Sequence, residues 1–199
     1  MARTADPVVR TALIEAAARR LADAGLEGLS IRGVAAEVGS STSAVYTHFG
    51  SKDDLVAEVV QEAFDRLHSG LLAAPSTDDP VADLRGIGLA YRRNALANPH
   101  LYRVMFGLNP LELRIGGHTE TSAVTVGLDA FGALVTAVAR CTEGGLLLGD
   151  PTEVALIVWS AAHGAVMLEL AGFLGDRCEA VFEAASDAAL RAYLPERPR

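Results

Sequence analysis

A chain of 199 residues, half of them apolar, can fold as one large or two small globular units with a sizeable core, and it is no disordered tail. Its formal net charge of −8 argues against a broadly basic nucleic-acid coat, but not against a local one. Charges beyond about 8 Å are largely screened at physiological salt, so a distant acidic body barely reaches a phosphate bound elsewhere. Cys141 and Cys178 lie far apart without CxxC spacing and read as ordinary thiols of a reducing cytoplasm.

Met1 to Ala5 is a short arm carrying Arg3. No secretory signal is expected, because Arg10, Glu15, Arg19 and Arg20 interrupt the apolar residues from Val8 onward. Asp6-Pro7 pairs an N-cap with proline at the first helical position. The helix it opens runs to about Ala24 and sets Val9, Leu13, Ala17, Leu21 and Ala24 on one side before Gly25 ends it. Ser30 caps a second, short helix on which Val34 and Val38 share a face beside Ala35. Gly39 supplies the positive φ of a sharp turn, and Ser41 caps a third helix with Val45 pointing inward. The Ala35, Gly39 and Val45 spacing predicts a helix-turn-helix over about 30–49, with the first helix as its brace. Between Ser30 and Lys52, Arg32 and Lys52 against Glu37 leave a local balance of +1, and Lys52 is the only lysine in the chain.

From Ser51 a long helix carries Leu55, Val59, Phe64, Leu67 and Leu71, with Asp53 and Asp54 in the first turn, where the helix dipole favours them. The stretch from Ala74 to Pro80 reads as a loop. Asp83 to Ala97 reads as a helix with Leu84, Ile87 and Tyr91 inward; Asn98-Pro99 stops it and opens a short aromatic helix through Leu101, Tyr102, Met105 and Phe106. Gly107 to His118 is irregular. Val124, Leu128, Phe131, Leu134 and Val138 give a helical period over Thr119 to Glu143.

Asp150-Pro151 starts a helix to about Leu174 that is apolar almost all round. A membrane span needs about 20 apolar residues; fifteen lie between Glu153 and Glu169, so a buried core helix and no membrane partner are expected. A last helix, Asp176 to Leu194, puts Phe182, Ala185, Ala189 and Tyr193 on one stripe. No strand alternation and no repeat interrupts this order. The fold class is all-α, of about nine helices, with a DNA-binding unit over 7–67 and a second domain over 75–199.

The run SSTSAVYTHFGSKDDL, residues 40–55, resembles the recognition helix and linker of the TetR/AcrR family of transcriptional regulators. Two departures, His48 at a usually aromatic position and Thr42 where lysine is frequent, bear on operator preference. WSAAHGAVMLELAG, Trp159 to Gly172, with NPHLYRVMFG, Asn98 to Gly107, resembles the Trp-His-Gly signature of one C-terminal subfamily. The resemblance implies a cytoplasmic repressor that binds a double-stranded DNA operator as a homodimer and is released by a largely apolar small-molecule effector. Phosphate and base contacts then fall to Ser30, Arg32, Ser41, Thr42, Ser43, Ala44, Tyr46, Thr47, His48 and Lys52. Trp159 and His163, four apart on one helical face, would line an effector cavity as wall and polar group, or equally well be a core tryptophan against a satisfied histidine. Phe64, Leu67, Tyr91, Tyr102, Met105, Phe106 and Phe131 are the further wall candidates. Ala161, Ala165, Phe182, Ala185 and Ala189 would form the dimer interface.

No metal, cofactor or catalytic group is expected. His48, His68, His100, His118 and His163 make no i, i+4 pair, and Gly86 and Gly88 form a GxG with no preceding strand. Two rival readings remain: a dimeric small-molecule sensor or carrier without operator binding, and an all-α enzyme using His163 with Glu169.

Overall fold

A computed structural model describes residues 6–107 and 121–196, with side chains of its seventh helix from Gly127 onward. The arm with Arg3, the stretch from Leu108 through His118, and the side chain of Val124 lie outside the described residues. Nine α-helices and no strand occur among the described residues: α1 Pro7–Gly28, α2 Ile31–Glu37, α3 Thr42–Phe49, α4 Lys52–Leu72, α5 Pro80–Ala97, α6 Pro99–Gly107, α7 Thr121–Glu143, α8 Pro151–Leu170 and α9 Cys178–Arg191. Gly25 breaks the helical path of α1 with φ +64°, where the sequence puts its end.

Local chemistry sets these boundaries. Asp6 accepts the Val8 N–H, and Asp150 accepts those of Thr152 and Glu153, so each Asp-Pro pair caps and starts a helix. A third such pair, Asp79-Pro80, starts α5 three residues earlier than the periodicity suggests, with Asp79 accepting from Val81 and Ala82. α8 ends at Leu170 and not near Leu174, because the chain turns there: Gly172 N–H bonds to Glu169 O and Phe173 N–H to Leu168 O. A 3₁₀ turn, Gly175–Arg177, then precedes α9, which begins at Cys178 and ends at Arg191. Leu128, expected on the buried stripe of α7, is 62% exposed. Successive steps of three residues fall short of a helical turn, so Leu128 drifts off the face that buries Val138.

The chain forms two compact units. The first comprises 1–66 with 98–127, the second 67–97 with 128–199. The core of the first is built from Leu13, Ile14 and Ala16–Ala18 of α1, Val34, Ala35, Val45 and Phe49 of the two short helices, Leu55 to Ala63 of α4, and Leu101 and Val104 of α6. α6 therefore belongs to the brace of the helix-turn-helix. The core of the second gathers Leu84, Val138, Cys141, Leu147, Val154, Ala155, Val158 and Leu190, with Phe131 and Leu134 packed against it.

A polar knot ties the second unit's loop to its helices. Asp83, 4% exposed, accepts the Thr77 N–H at 2.8 and 3.0 Å, the Thr77 hydroxyl at 2.8 Å and an Arg140 N–H at 2.6 Å. Arg140 also donates to the Thr77 carbonyl at 2.6 Å. The Thr77 backbone N–H, joined by Arg140, holds the Asp83 carboxyl below its usual range although burial pushes the other way. A carboxylate whose folded pKa is depressed contributes stability that is present above the ordinary aspartate range, about 4, and is lost as pH falls below it. Asp83→Asn is therefore expected to lower the urea midpoint at neutral pH and to reduce the further loss that wild type shows on acidification below about pH 4, checked by urea melts across that range.

Candidate nucleic-acid interface and ligand-facing groups

The helix-turn-helix is assembled from caps and close contacts. Ser30 Oγ accepts the Gly33 N–H at 3.1 Å and starts α2; Ser41 Oγ accepts the Ala44 N–H at 3.1 Å and starts α3. Each cap is worth about 1 kcal/mol. The intervening turn is closed by Gly39 N–H to Ala36 O and Ser40 N–H to Ala35 O, with Gly39 at φ +65°, a left-handed conformation that glycine adopts without steric cost. Gly33 is needed for another reason. A Cβ there would lie 2.6 Å from an Arg20 guanidinium nitrogen and 2.8 Å from the Ser30 hydroxyl that makes the cap.

α3 has one buried and one outward side. Val45 is fully buried and Phe49 nearly so, whereas Thr42, Ser43, Tyr46 and Thr47 are exposed and Ala44 and His48 half-buried. Ser30, Arg32 and Ser41 are exposed beside them. The Thr47 hydroxyl donates to Ser43 O at 2.8 Å, so its proton is used within the helix and its oxygen is left to accept. The ten residues singled out for DNA thus sit on or immediately flanking two short helices, except Lys52, which opens α4. Lys52 Nζ donates to the Leu26 carbonyl at 2.9 Å, pinning the segment beyond the Gly25 break to the start of α4. The α4 start is itself fixed: Ser51 Oγ accepts the Asp54 N–H and donates to its carboxylate.

Several charged groups here were not legible from local pattern. Glu37 of α2 accepts from both Arg19 and Arg20 of α1, at 2.9 and 3.0 Å, and the Arg19 bond chiefly holds its carboxyl below the ordinary range. Arg10 pairs with Glu58 and lies over the Phe49 ring. All these partners are 17 or more residues apart, beyond any i, i+4 rule.

The wall candidates divide between the units. Phe64, Tyr102, Met105 and Phe106 belong to the first; Leu67, Tyr91, Phe131, Trp159 and His163 to the second. Phe64 and Met105 pack on the first core, and Tyr102 is fully buried with its ring edge-on to Phe106, centroids 5.0 Å apart. In the second unit Trp159 stands between Phe131 and His163, with centroids 5.9 and 6.0 Å away. The Trp159 indole N–H donates to the Tyr91 hydroxyl at 3.1 Å, and that hydroxyl shares a 3.0 Å hydrogen bond with His163 Nδ1. Burial pushes the His163 pKa below its ordinary value and favours the neutral ring. Tyr91 is therefore the hub joining α5 to both α8 residues. Glu169 is not part of it, because Arg92 holds both its oxygens at 2.7 Å.

The residues expected at a dimer contact differ in how far the chain's own packing covers them. Ala165 and Phe182 are buried in the chain's own packing and Ala189 packs on the second core, while Ala161 and Ala185 are half-buried. α8 and α9 pack on each other within the chain. What α8 leaves outward is Leu156, Ile157, Ser160, Gly164, Met167 and Leu168, and α9 leaves Ala180, Ala184 and Ala188. By length and composition α8 could cross a membrane, yet its Val154, Ala155, Val158, Ala162, Ala165 and Val166 are buried.

Comparison with known proteins agrees with this architecture. Residues 13–59 match the profile of bacterial regulatory proteins of the tetR family, and residues 84–193, more than half the chain, match a tetracyclin repressor-like C-terminal domain. The chain is 31% identical over 170 residues to the uncharacterized HTH-type transcriptional regulator Rv0681 of Mycobacterium tuberculosis, covering 84% of this chain and 72% of that one. It is 30% identical over 112 residues to the HTH-type regulator Rv1816 of the same organism, where the match covers 53% of this chain and spans only 46% of the relative. The solved structure of the TetR-family regulator PfmR from Thermus thermophilus superposes with TM-score 0.74 at 24% identity, over 94% of this chain and 96% of that one. The chain belongs to the TetR family of transcriptional regulators. Regulators of this family bind DNA operators, form dimers and carry ligand-binding C-terminal domains.

The Lys52 bond lies within the reading head of the molecule, between its α1 brace and the start of α4. Lys52→Met keeps the stem and removes the donor, and is expected to lower unfolding free energy by about 1 kcal/mol, measured by urea denaturation.

Proposed function

We propose that this chain is a cytoplasmic, one-component repressor that binds duplex DNA through α2 and α3 as a homodimer and leaves it when a largely apolar effector binds the helical body. The observation that carries the reading is the two-sidedness of α3: Val45 and Phe49 fix the helix, and Thr42, Ser43, Tyr46 and Thr47 stand outward with nothing of the head's own core to pack on. The hydroxyls of Thr42, Ser43 and Tyr46 can donate to phosphate oxygens, the Thr47 oxygen can accept from a base edge, and Ala44 can offer a methyl to thymine. Arg32 and Lys52 supply the charge. Effector reading falls to Tyr91, Trp159 and His163, three polar tips on an otherwise apolar cluster, which also supports membership of the Trp-His-Gly subgroup. The enzyme alternative loses support from the Arg92 grip on Glu169, which leaves His163 without that carboxylate.

Selection of bound duplexes from a random pool tests the reading. The expected product is a palindrome with half-sites about one helical turn apart. Thr47→Val or Ala44→Ser should change which sequences are recovered, whereas Arg32→Ala should weaken all of them and flatten the slope of log K against log salt by about 1. A protein that recovers no sequence would be the sensor or carrier instead.

For the dimer, the outward face of α8 with Ala180, Ala184 and Ala188 of α9 is the better interface. Leu156, Ile157, Met167 and Leu168 are each 41–48% exposed, two apolar pairs spaced by the small Ser160 and Gly164 on a helix whose other side is already covered. Ala184→Glu is expected to give monomers in sedimentation and to abolish tight operator binding, because a carboxylate buried there without a partner costs several kcal/mol. A monomer retaining full operator affinity would refute this arrangement.

A further inference from the structure

The chain leaves the first compact unit after Arg66, within α4, and re-enters it at Asn98, where α6 begins. These two residues are bonded to each other: Arg66 donates through an Nη to Asn98 Oδ1 at 2.8 Å. The same nitrogen reaches Glu15 of α1 at 2.6 Å, and Nε reaches Glu62, one turn back on α4, at 2.8 Å. One cation therefore joins α1, α4 and the entry to α6. All three charged side chains are about two-thirds covered, at 27–34% exposure, where such bonds are less screened than at an open surface.

The guanidinium is a rigid planar fork, so it can satisfy three acceptors only in one relative placement of the segments that carry them. Drawing α4 away from α1, or Asn98 away from Arg66, breaks at least one charge-assisted bond. α4 is also the helix whose first turn is tied to the helix-turn-helix, through Lys52 and Leu26. The backbone of α4 thus connects the clamp directly to the reading head.

We propose that Arg66 is a positioning residue for operator binding: with Glu15 and Asn98 it locks α4 and α6 onto α1 in the DNA-competent arrangement, at the two points where the chain passes to and from the second unit. A change in the second unit that shifts either crossing must then work against this clamp. The role rests on the operator reading above.

The test uses the full-length protein and the duplex that wild type recovers from a random pool. Arg66→Met, Glu15→Gln and Asn98→Ala are each compared with wild type for folding by thermal melt and for operator affinity across salt. Each folded variant should lose roughly tenfold in affinity, the size of one charge-assisted bond that distinguishes two states. The salt slope should stay unchanged, because Arg66 meets no phosphate. The Arg66→Met, Glu15→Gln double variant should bind no more weakly than Arg66→Met alone, since both remove one shared interaction. Arg66→Lys, which keeps the charge but not the fork, should recover only part of the affinity. Folded variants with wild-type affinity would reduce Arg66 to a structural contact and overturn the proposal; so would additive losses, or a slope flattened by about 1, which marks a direct phosphate contact. If Arg66→Met does not fold, Glu15→Gln and Asn98→Ala decide the matter. A wild type that recovers no duplex would instead remove the operator reading, visibly before any variant is made, and this role with it.

Discussion

The burial of Val45 and Phe49 is the constraint on which the proposed activity depends. α3 is eight residues long, far below the length at which an isolated helix is stable in water. Its geometry is held by tertiary contact: Val45 has no exposed surface, and it enters a core whose α1 contribution is largely Leu13, Ile14 and three consecutive alanines. Alanines at those positions let the short helices approach closely. The Ser41 cap and the Gly39 turn fix where α3 begins, but without Val45 the outward residues Thr42, Ser43, Tyr46 and Thr47 would have no defined direction. Recognition of a rigid duplex requires that direction to exist before binding.

A second theme is the division of labour between apolar and ionic contacts. Apolar side chains bring the helices together, and a few ion pairs, exposed at Glu37 and partly buried at the others, set how they are placed along one another. Glu37 holds α2 to α1 through two arginines, Arg66 joins α1, α4 and the start of α6, Asp83 binds the loop before α5 to α7 through Arg140, and Arg92 joins α5 to α8 through Glu169. The desolvation cost of such groups means that they add less net stability than their short distances suggest. Their geometric demands are strict, however, and a guanidinium with several acceptors discriminates between two helix placements that apolar packing alone would tolerate. This suits the proposed role, in which one arrangement is held on DNA and surrendered to a ligand.

The helix α8 shows how the same sequence feature can mean different things. Read as a string it is apolar all round, and coverage on every side is the natural expectation. Folded, it divides into a side packed on α5 and α9 and an outward side of Leu156, Ile157, Met167 and Leu168. Periodicity cannot make that division, because with apolar residues at nearly every position no angle is preferred. For the same reason the small residues of α9 could not be sorted by pattern: Ala189 packs on the chain's own core and Ala185 is half-buried, whereas Ala180, Ala184 and Ala188 fall outward.

The features legible in the sequence were local: the all-α class, the capped starts at Asp6-Pro7, Ser30, Ser41, Ser51 and Asp150-Pro151, the Gly39 turn, and the motif from Ser40 to Leu55 that points to the family. The caps and the turn depend on residues within about four positions of each other, where side chain and backbone meet whatever the rest of the chain does, and the motif is one continuous run of sixteen residues. Packing had to decide that α6 joins the helix-turn-helix core, that Tyr91 bonds with both Trp159 and His163, that Lys52 reaches Leu26, and that Phe182 is internal. The Lys52 bond spans 26 residues, the Tyr91 bonds to Trp159 and His163 span 68 and 72, and Phe182 is covered by a separate helix of the second unit. Their existence depends on how helices rotate as they pack, and no spacing in the sequence records a rotation.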